Sequence, residues 1–270
     1  MDSIRQAIEL AKSGSSAQRL SGLTVAFPDQ RGASADLEFT DIPLNPAYLE
    51  TMRIVAHGGG ASRQGKYYDM LRTQVLQEMD KAGWQFLAVT SATAGCGKTV
   101  TACNLALSIA RLPERSVMLI DMDLQKPKVS DYLGLNRYEG LLSVLEGRAS
   151  LLDQVVQASI RGSKLLVLPG EACDSGAAEW MASQMTSTLL QSIKRDFRSR
   201  IVIFDLPPIL TGDDVISILP QMDAILLVTG VGTTSVADLK ECQKHIKDTP
   251  VVRVVVNKAT DATDAYRAYY

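Results

Sequence analysis

The chain has 270 residues, 46% of them hydrophobic, and a formal net charge of −2. That length suits one large domain, or one domain with extensions, able to bury a sizeable core. The charge balance argues against broad affinity for nucleic acid or acidic membranes, and no apolar run approaches the ~18 residues needed to cross a bilayer.

Residues 2–12 carry Ile4, Ala7, Ile8 and Ala11 on one helical face. Such a short helix is unstable alone and is expected to dock. The opening Met1-Asp2-Ser3-Ile4-Arg5 has no signal-peptide core. Residues 13–45, rich in Ser, Gly, Ala, Gln and Asp, read as a linker. The folded domain is expected over 46–260, with a tail at 261–270. Arg53-Ile54-Val55-Ala56 suggests a short strand, and Gly58-Gly59-Gly60 a loop. A helix follows over 66–80, buried through Leu71, Val75 and Met79 and polar along Lys66, Asp69 and Arg72. Strands and helices then alternate. Strands are expected at 85–91, 116–122, 164–168, 201–205, 224–229 and 251–256. Helices are expected at 98–111, near 129–133, at 140–146, 151–157, about 177–198, 213–219 and 235–247. The strands are apolar throughout, so both faces are buried. The fold class is α/β, a parallel sheet with helices on both faces in three layers.

Between the first strong strand and its helix lies Ser91-Ala92-Thr93-Ala94-Gly95-Cys96-Gly97-Lys98-Thr99. This is the layout of a phosphate-binding loop, which makes the expected α/β sheet one of the P-loop NTPase type. Gly95 and Gly97 let backbone N–H groups turn inward around phosphate oxygens, and the helix start adds its positive end. Ala94, Gly95, Cys96, Gly97, Lys98, Thr99 and Val100 are the expected nucleotide contacts. Lys98 supplies a mobile cation, and the Thr99 hydroxyl a magnesium ligand. The usual first glycine falls at Ala92. The four cysteines show neither metal spacing nor pairing, which fits a reducing cytoplasm. Cys96, close to Lys98 and a helix start, should have a lowered thiol pKa. It is read as a plain loop residue, with a redox switch as the alternative.

Three aspartates close apolar strands. Asp121 and Asp123 follow Val117-Met118-Leu119-Ile120, and Asp205 follows Ile201-Val202-Ile203-Phe204. Ligands of open parallel sheets sit at such strand ends. One carboxylate can hold magnesium, directly or through water, and a second can take a proton from an attacking hydroxyl. One such Asp alone would read as a cap. Asn257-Lys258 closes the last strand as a base-contact loop, and Thr260, where a guanine reader wants Asp, favours ATP.

Over roughly residues 46–270 the chain resembles the bacterial tyrosine kinases (BY-kinases) of capsule and exopolysaccharide systems. The resemblance rests on the glycine loop, on Leu-Ile-Asp-Met-Asp-Leu-Gln-Lys-Pro at 119–127 and on Ile-Phe-Asp-Leu-Pro-Pro at 203–208. Leu71-Arg72-Thr73-Gln74 and Val255-Val256-Asn257-Lys258 also fit. The related ParA/MinD-type ATPases carry a further lysine five residues before the loop lysine, where this chain has Thr93. The resemblance implies transfer of the γ-phosphoryl of ATP to a tail cluster, here Tyr266, Tyr269 and Tyr270, often on a neighbouring subunit. It implies that Lys98 and Thr99 hold phosphate and magnesium, and that Asp123 and Asp205 organise the metal. Asp121 would activate the tyrosine hydroxyl, although Asp121 and Asp123 could exchange roles.

Departures from the family pattern are Gln125 in place of Arg, with Lys126 and Lys128 as candidate substitutes, and Lys66, Asp69 and Arg72 in place of a ring-forming E-x2-R-x2-R. The implied partners are a membrane-spanning polysaccharide chain-length regulator (co-polymerase) as activator, further copies of the chain in a homo-oligomer, and a tyrosine phosphatase. No nucleic acid is expected. The implied location is the cytoplasm, at the inner face of the membrane through that partner. The competing readings are a kinase-inactive ATP-switched module docked on the export machinery and a partition-type ATPase.

Overall fold

The apolar runs pair into one eight-stranded sheet in a computed structural model that describes residues 39–136, 139–197 and 200–259. The amphipathic stretch at 2–12, most of the expected linker and the tail tyrosines lie outside the described residues. The strands are β1 (Thr40–Pro43), β2 (Phe86–Ser91), β3 (Ser116–Asp121), β4 (Val156–Ile160), β5 (Ser163–Leu168), β6 (Arg200–Asp205), β7 (Ala224–Gly230) and β8 (Val251–Asn257). Their order is β1-β4-β5-β3-β6-β2-β7-β8. Every pairing is parallel except β4 with β5.

The helices are α1 (Pro46–Thr51), α2 (Arg63–Ala82), α3 (Lys98–Ala110), α4 (Val129–Leu133), α5 (Leu141–Leu145), α6 (Leu151–Gln154), α7 (Ala177–Met181), α8 (Gln184–Asp196), α9 (Asp214–Ile218) and α10 (Val236–His245). Because successive strand side chains face opposite ways, β2 splits its residues between two cores. Leu87 and Val89 join Val75 and Met79 of α2 and Leu105 and Ile109 of α3. Phe86 and Ala88 join Leu189 and Ile193 of α8 and Val215 of α9, with Phe86 edge-on to Phe204 at 4.9 Å. The result is the expected three-layer α/β/α arrangement. No helix among the described residues is long and apolar enough to cross a membrane.

Four local expectations change. The linker was expected to run to residue 45, but Thr40–Pro43 form β1, paired with Val156–Ser159 of β4. The 151–157 helix stops at Gln154, and β4 follows, turning into β5 through Arg161 (φ 49°) and Gly162 (φ 82°). That hairpin makes the sheet mixed rather than wholly parallel. The expected strand at Arg53–Ala56 does not form. Its backbone is satisfied by Asn104 of α3, whose side-chain oxygen accepts from Val55 and Ala56 N–H and whose amide donates to Arg53 O. The long helix at 177–198 divides into α7 and α8, because Ser183 is extended and its hydroxyl caps Thr186 N–H.

Candidate active site

The glycine loop joins β2 to α3 at the centre of the sheet, with β6 on one side of β2 and β7 on the other. Gly95 (φ 76°) and Gly97 (φ 89°) both adopt the left-handed region, which costs other residues energy. Gly97 is the N-cap of α3 and supplies no side-chain cap. The first-turn N–H groups of α3 are therefore available to an anion. The loop is braced from behind. Asn257 Nδ2, at the end of β8, donates to Cys96 O at 2.9 Å. A Cβ on Gly97 would lie 2.3 Å from that same nitrogen.

The turn after β7 braces the other side. Thr93 Oγ1 donates to Thr233 O at 3.3 Å, and Thr234 Oγ1 lies 3.2 Å from Cys96 Sγ. Thr233 and Thr234 were missed from sequence, where Val-Gly-Thr-Thr-Ser reads as an ordinary turn. Burial pushes the Cys96 thiol up, but hydrogen bonds from Thr234, Thr93 and Ser91 outweigh it and the net shift is downward. The direction matches the expectation, but the cause is local hydrogen bonding rather than Lys98. Cys96 as a residue is 1% exposed, which favours the plain loop reading.

Lys98, Asp121, Asp123 and Asp205 converge as expected. Lys98 Nζ donates to Asp123 Oδ2 at 2.8 Å and lies 3.9 Å from Asp205 Oδ1. Burial works against the ammonium, but the charges of Asp205, Asp123 and Asp121 outweigh it and raise the Lys98 pKa. Asp121 is fully buried. Its Oδ2 accepts Lys128 N–H at 2.8 Å and Val129 N–H at 2.9 Å, and its Oδ1 accepts Asp123 N–H at 3.1 Å. Burial, followed by the Asp205 charge, still raises its pKa to about 7. Three of about four lone-pair directions are thus used. Gly170 closes the other side, since a Cβ there would stand 2.8 Å from Asp121 Cγ.

Asp205 is different. Burial raises its pKa to about 6, while the Lys98 charge and the Thr99 hydroxyl act to lower it. Neither of its buried oxygens receives a hydrogen bond of normal geometry. An orphaned buried carboxylate is costly and signals a missing partner. Thr99 Oγ1, Asp123 and Asp205 offer hard oxygen donors, the set that suits magnesium. No group of three or more His, Cys, Asp or Glu with metal-holding geometry exists among the described residues.

Two departures from the family pattern resolve structurally. Gln125 Nε2 donates to Asp214 Oδ2 at 2.7 Å, so the position is a neutral tether. Lys128, read as a substitute cation, pairs instead with exposed Asp131 at 2.7 Å. Lys126 is exposed, and its backbone N–H donates to Asp123 Oδ1 at 3.0 Å. Along α2, Asp69 is engaged within the chain. It accepts from Arg111 at 2.8 Å and from Ser108 Oγ at 2.7 Å, and Arg72 Nη1 lies at 3.4 Å. Arg72 also donates to Ser108 O at 3.0 Å. The altered stripe therefore ties α2 to the end of α3.

The profile of the CobQ/CobB/MinD/ParA nucleotide binding domain matches residues 87–269. Tyrosine-protein kinase YwqD of Bacillus subtilis is 33% identical over 181 residues, which cover 67% of this chain and 74% of that protein. The putative tyrosine-protein kinase EpsB of Ralstonia solanacearum is 30% identical over 201 residues, which cover 74% of this chain and 26% of that protein. The chain thus spans about a quarter of the length of that relative. Among solved structures, the VpsO kinase domain superposes with a TM-score of 0.62 at 25% identity, covering 74% of this chain and all of that one. The chain belongs to the CobQ/CobB/MinD/ParA nucleotide-binding family and, within it, to the bacterial tyrosine-kinase branch.

Proposed function

We propose that the chain is an ATP-dependent protein-tyrosine autokinase of exopolysaccharide or capsule production, phosphorylating Tyr266, Tyr269 and Tyr270 in trans. The observation that carries this reading is the buried Lys98–Asp123–Asp205 group beside a cap-free helix start, with no hydrogen bond of normal geometry to the Asp205 oxygens. Backbone N–H groups from Gly95 to Thr99 cradle the phosphates. Asn257, Val100 and the loop flanks hold the rest of the nucleotide. Magnesium, held by Thr99, Asp123 and Asp205 directly or through water, supplies charge neutralisation when bound.

Lys98, held in place by two carboxylates, swings to the outer phosphates and offsets the charge that develops there. The tyrosine oxygen forms the new bond to phosphorus as the bond to the ADP oxygen breaks, and the phenolic proton passes to Asp121. A carboxyl with a pKa near 7 is suited to that role. Most of the acceleration is positioning and electrostatics, as in other phosphoryl transfers. The activator in this reading is the cytoplasmic tail of a membrane-spanning chain-length regulator, which recruits a homo-oligomer to the inner face of the membrane. A tyrosine phosphatase reverses the modification.

The test is incubation with ATP and magnesium, with and without such a tail, followed by phosphosite mapping by mass spectrometry. Phosphate on the tail tyrosines of the wild type and none on Lys98→Met is expected. ATP binding without phosphotyrosine under either condition would overturn the reading in favour of a nucleotide-switched docking module.

A further inference from the structure

The sheet ends at β8, which pairs with β7 on one side and with no described strand on the other. Its two faces differ. Arg253 and Val255 stand in register with Leu226 and Val228 of the first core. Arg253 reaches α2 on that face, donating to Gln74 Oε1 at 3.3 Å and lying 3.5 Å from Glu78. Val254 and Val256 stand in register with Leu227 and Thr229, so they face the side of the second core. The helix on that side, α10, sends Cys242 into the second core and packs toward the Ile209–Thr211 turn. It leaves Val254 54% exposed and Val256 64% exposed. Val231 extends the stripe at 54%, held beside the strand end by its N–H, which donates to Asn257 O at 3.0 Å. Single exposed valines are ordinary, but a run of them along a sheet edge marks an interaction surface.

The chain itself supplies the occupant. β8 ends at Asn257, and Lys258 follows at φ 63° with its N–H on Asn257 Oδ1 at 2.8 Å. A left-handed residue there turns the chain instead of letting it run on past the sheet. Residues 260–270 come next. Ala262, Ala265, Tyr266 and Tyr269 recur at the spacing of one helical face, and Asp261, Thr263, Asp264 and Arg267 fall on the other. Thr260 followed by Asp261 suits a helix start. A helix of that length measures about 16 Å. The 7 residues of β8 span about 23 Å, long enough to seat it. We infer that residues 260–270 fold back onto the Val254 and Val256 face of β8 in the same chain, apolar side down, and so withhold Tyr266 and Tyr269 from phosphoryl transfer.

Geometry selects this occupant over two others. Residues 2–12 carry a similar apolar stripe, but the chain they belong to enters the sheet at β1, on the opposite edge, roughly 34 Å away. A second copy must bind from solution, whereas residue 260 follows directly on the strand and acts at the high effective concentration of a short tether. Tyrosine suits such a seat, with its ring on the valines and its hydroxyl at the wet rim. Phosphorylation should release the segment, because a phosphate dianion is costly to bury against valine. That release rests on the proposed kinase activity, and the docking does not.

The test is hydrogen–deuterium exchange with mass spectrometry on the full chain, treated with a tyrosine phosphatase and kept free of ATP. Amides of 262–270 are expected to exchange at least tenfold more slowly than in a synthetic peptide of residues 258–270. The double substitution Val254→Thr and Val256→Thr should abolish that protection while the melting temperature is kept. Should the double variant misfold, seen as fast exchange in β2 and α3, Tyr266→Glu decides the matter. It changes only the tail, places a charge on the docking side and should release the segment in the same way. Peptide-like exchange in the unsubstituted chain, or protection that survives Tyr266→Glu, would overturn the inference. So would protection that rises with protein concentration, which marks a second copy, or protection found in residues 2–12 and lost in the double variant, which marks the other end of the chain. Because the docking is read without ATP, failure of the kinase reading shows separately, as absent tail phosphorylation.

Discussion

Burial and the nearby Asp205 charge push the Asp121 carboxyl up to about 7, against an ordinary value of 3.8. The folded state therefore favours the protonated form. The associated stability is complete below about pH 4 and is lost as pH rises through 7. At ~1.4 kcal/mol per pKa unit this amounts to a few kcal/mol. Nucleotide-free protein in chelator should thus lose thermal stability between about pH 5 and 8. Asp121→Asn should flatten that slope, although its amide leaves one backbone N–H poorly paired and lowers the baseline. A pH series of melting curves on both proteins checks this, and equal slopes would argue against a raised pKa.

Asp69 makes a second residue-scale case. Asp69→Ala removes the carboxylate shared by Arg111, Arg72 and the Ser108 hydroxyl at a site that is 21% exposed, while Arg72 keeps Ser108 O and Arg111 keeps Ala56 O. A loss of about 1–3 kcal/mol in urea unfolding is expected. The Lys66, Asp69 and Arg72 stripe was legible as a departure from the family pattern. Its internal use was not, because Ser108 and Arg111 are about forty residues away in sequence.

At the scale of elements, the glycine loop depends on β8 as well as on its own sequence. Gly97→Ala places a methyl on Asn257 and demands a left-handed backbone. Gly95→Ala meets only the strain, since its nearest neighbour, Thr233 Cγ2, would be 4.0 Å away. Nucleotide affinity should fall at least tenfold in Gly97→Ala, and stability by only about 1 kcal/mol in Gly95→Ala. Isothermal titration with ATP, alongside unfolding curves, separates the two.

The same scale shows where local reading succeeds. β2, β3, β6 and β7 are buried on both faces, and their apolar runs announced them. β4 alternates buried and half-buried residues over only five positions, and its run merged with the preceding helix. β1 has a weaker signal still, Thr-Asp-Ile-Pro, and becomes a strand through pairing with β4.

For the whole molecule, ligand binding should appear as global stability. At a concentration 100 times the dissociation constant, a ligand specific for the native state adds about 2.7 kcal/mol. Magnesium-ATP should therefore raise the melting temperature by roughly 5–10 °C for a domain of this size. Thr99→Ala should lose the magnesium-dependent part while keeping the response to ATP alone. Scanning fluorimetry with ATP in magnesium and in chelator reads both.

The phosphate cradle, its lysine and the strand-end aspartates were all readable from the chain alone. A cradle must be contiguous, because successive backbone N–H groups surround one anion, and a doubly buried strand must be apolar along its length. The α/β class followed from the same periodicity. Which strands lie beside β2, that β1 extends the sheet and that β4 and β5 form a hairpin were decided by long-range pairing. Tertiary contact also brought Thr233, Thr234 and Asn257 against the loop and Lys98 to within 3.9 Å of Asp205, whose oxygens receive no hydrogen bond of normal geometry. Such contacts join residues far apart in sequence, and their energies depend on burial and distance, which a linear pattern does not encode.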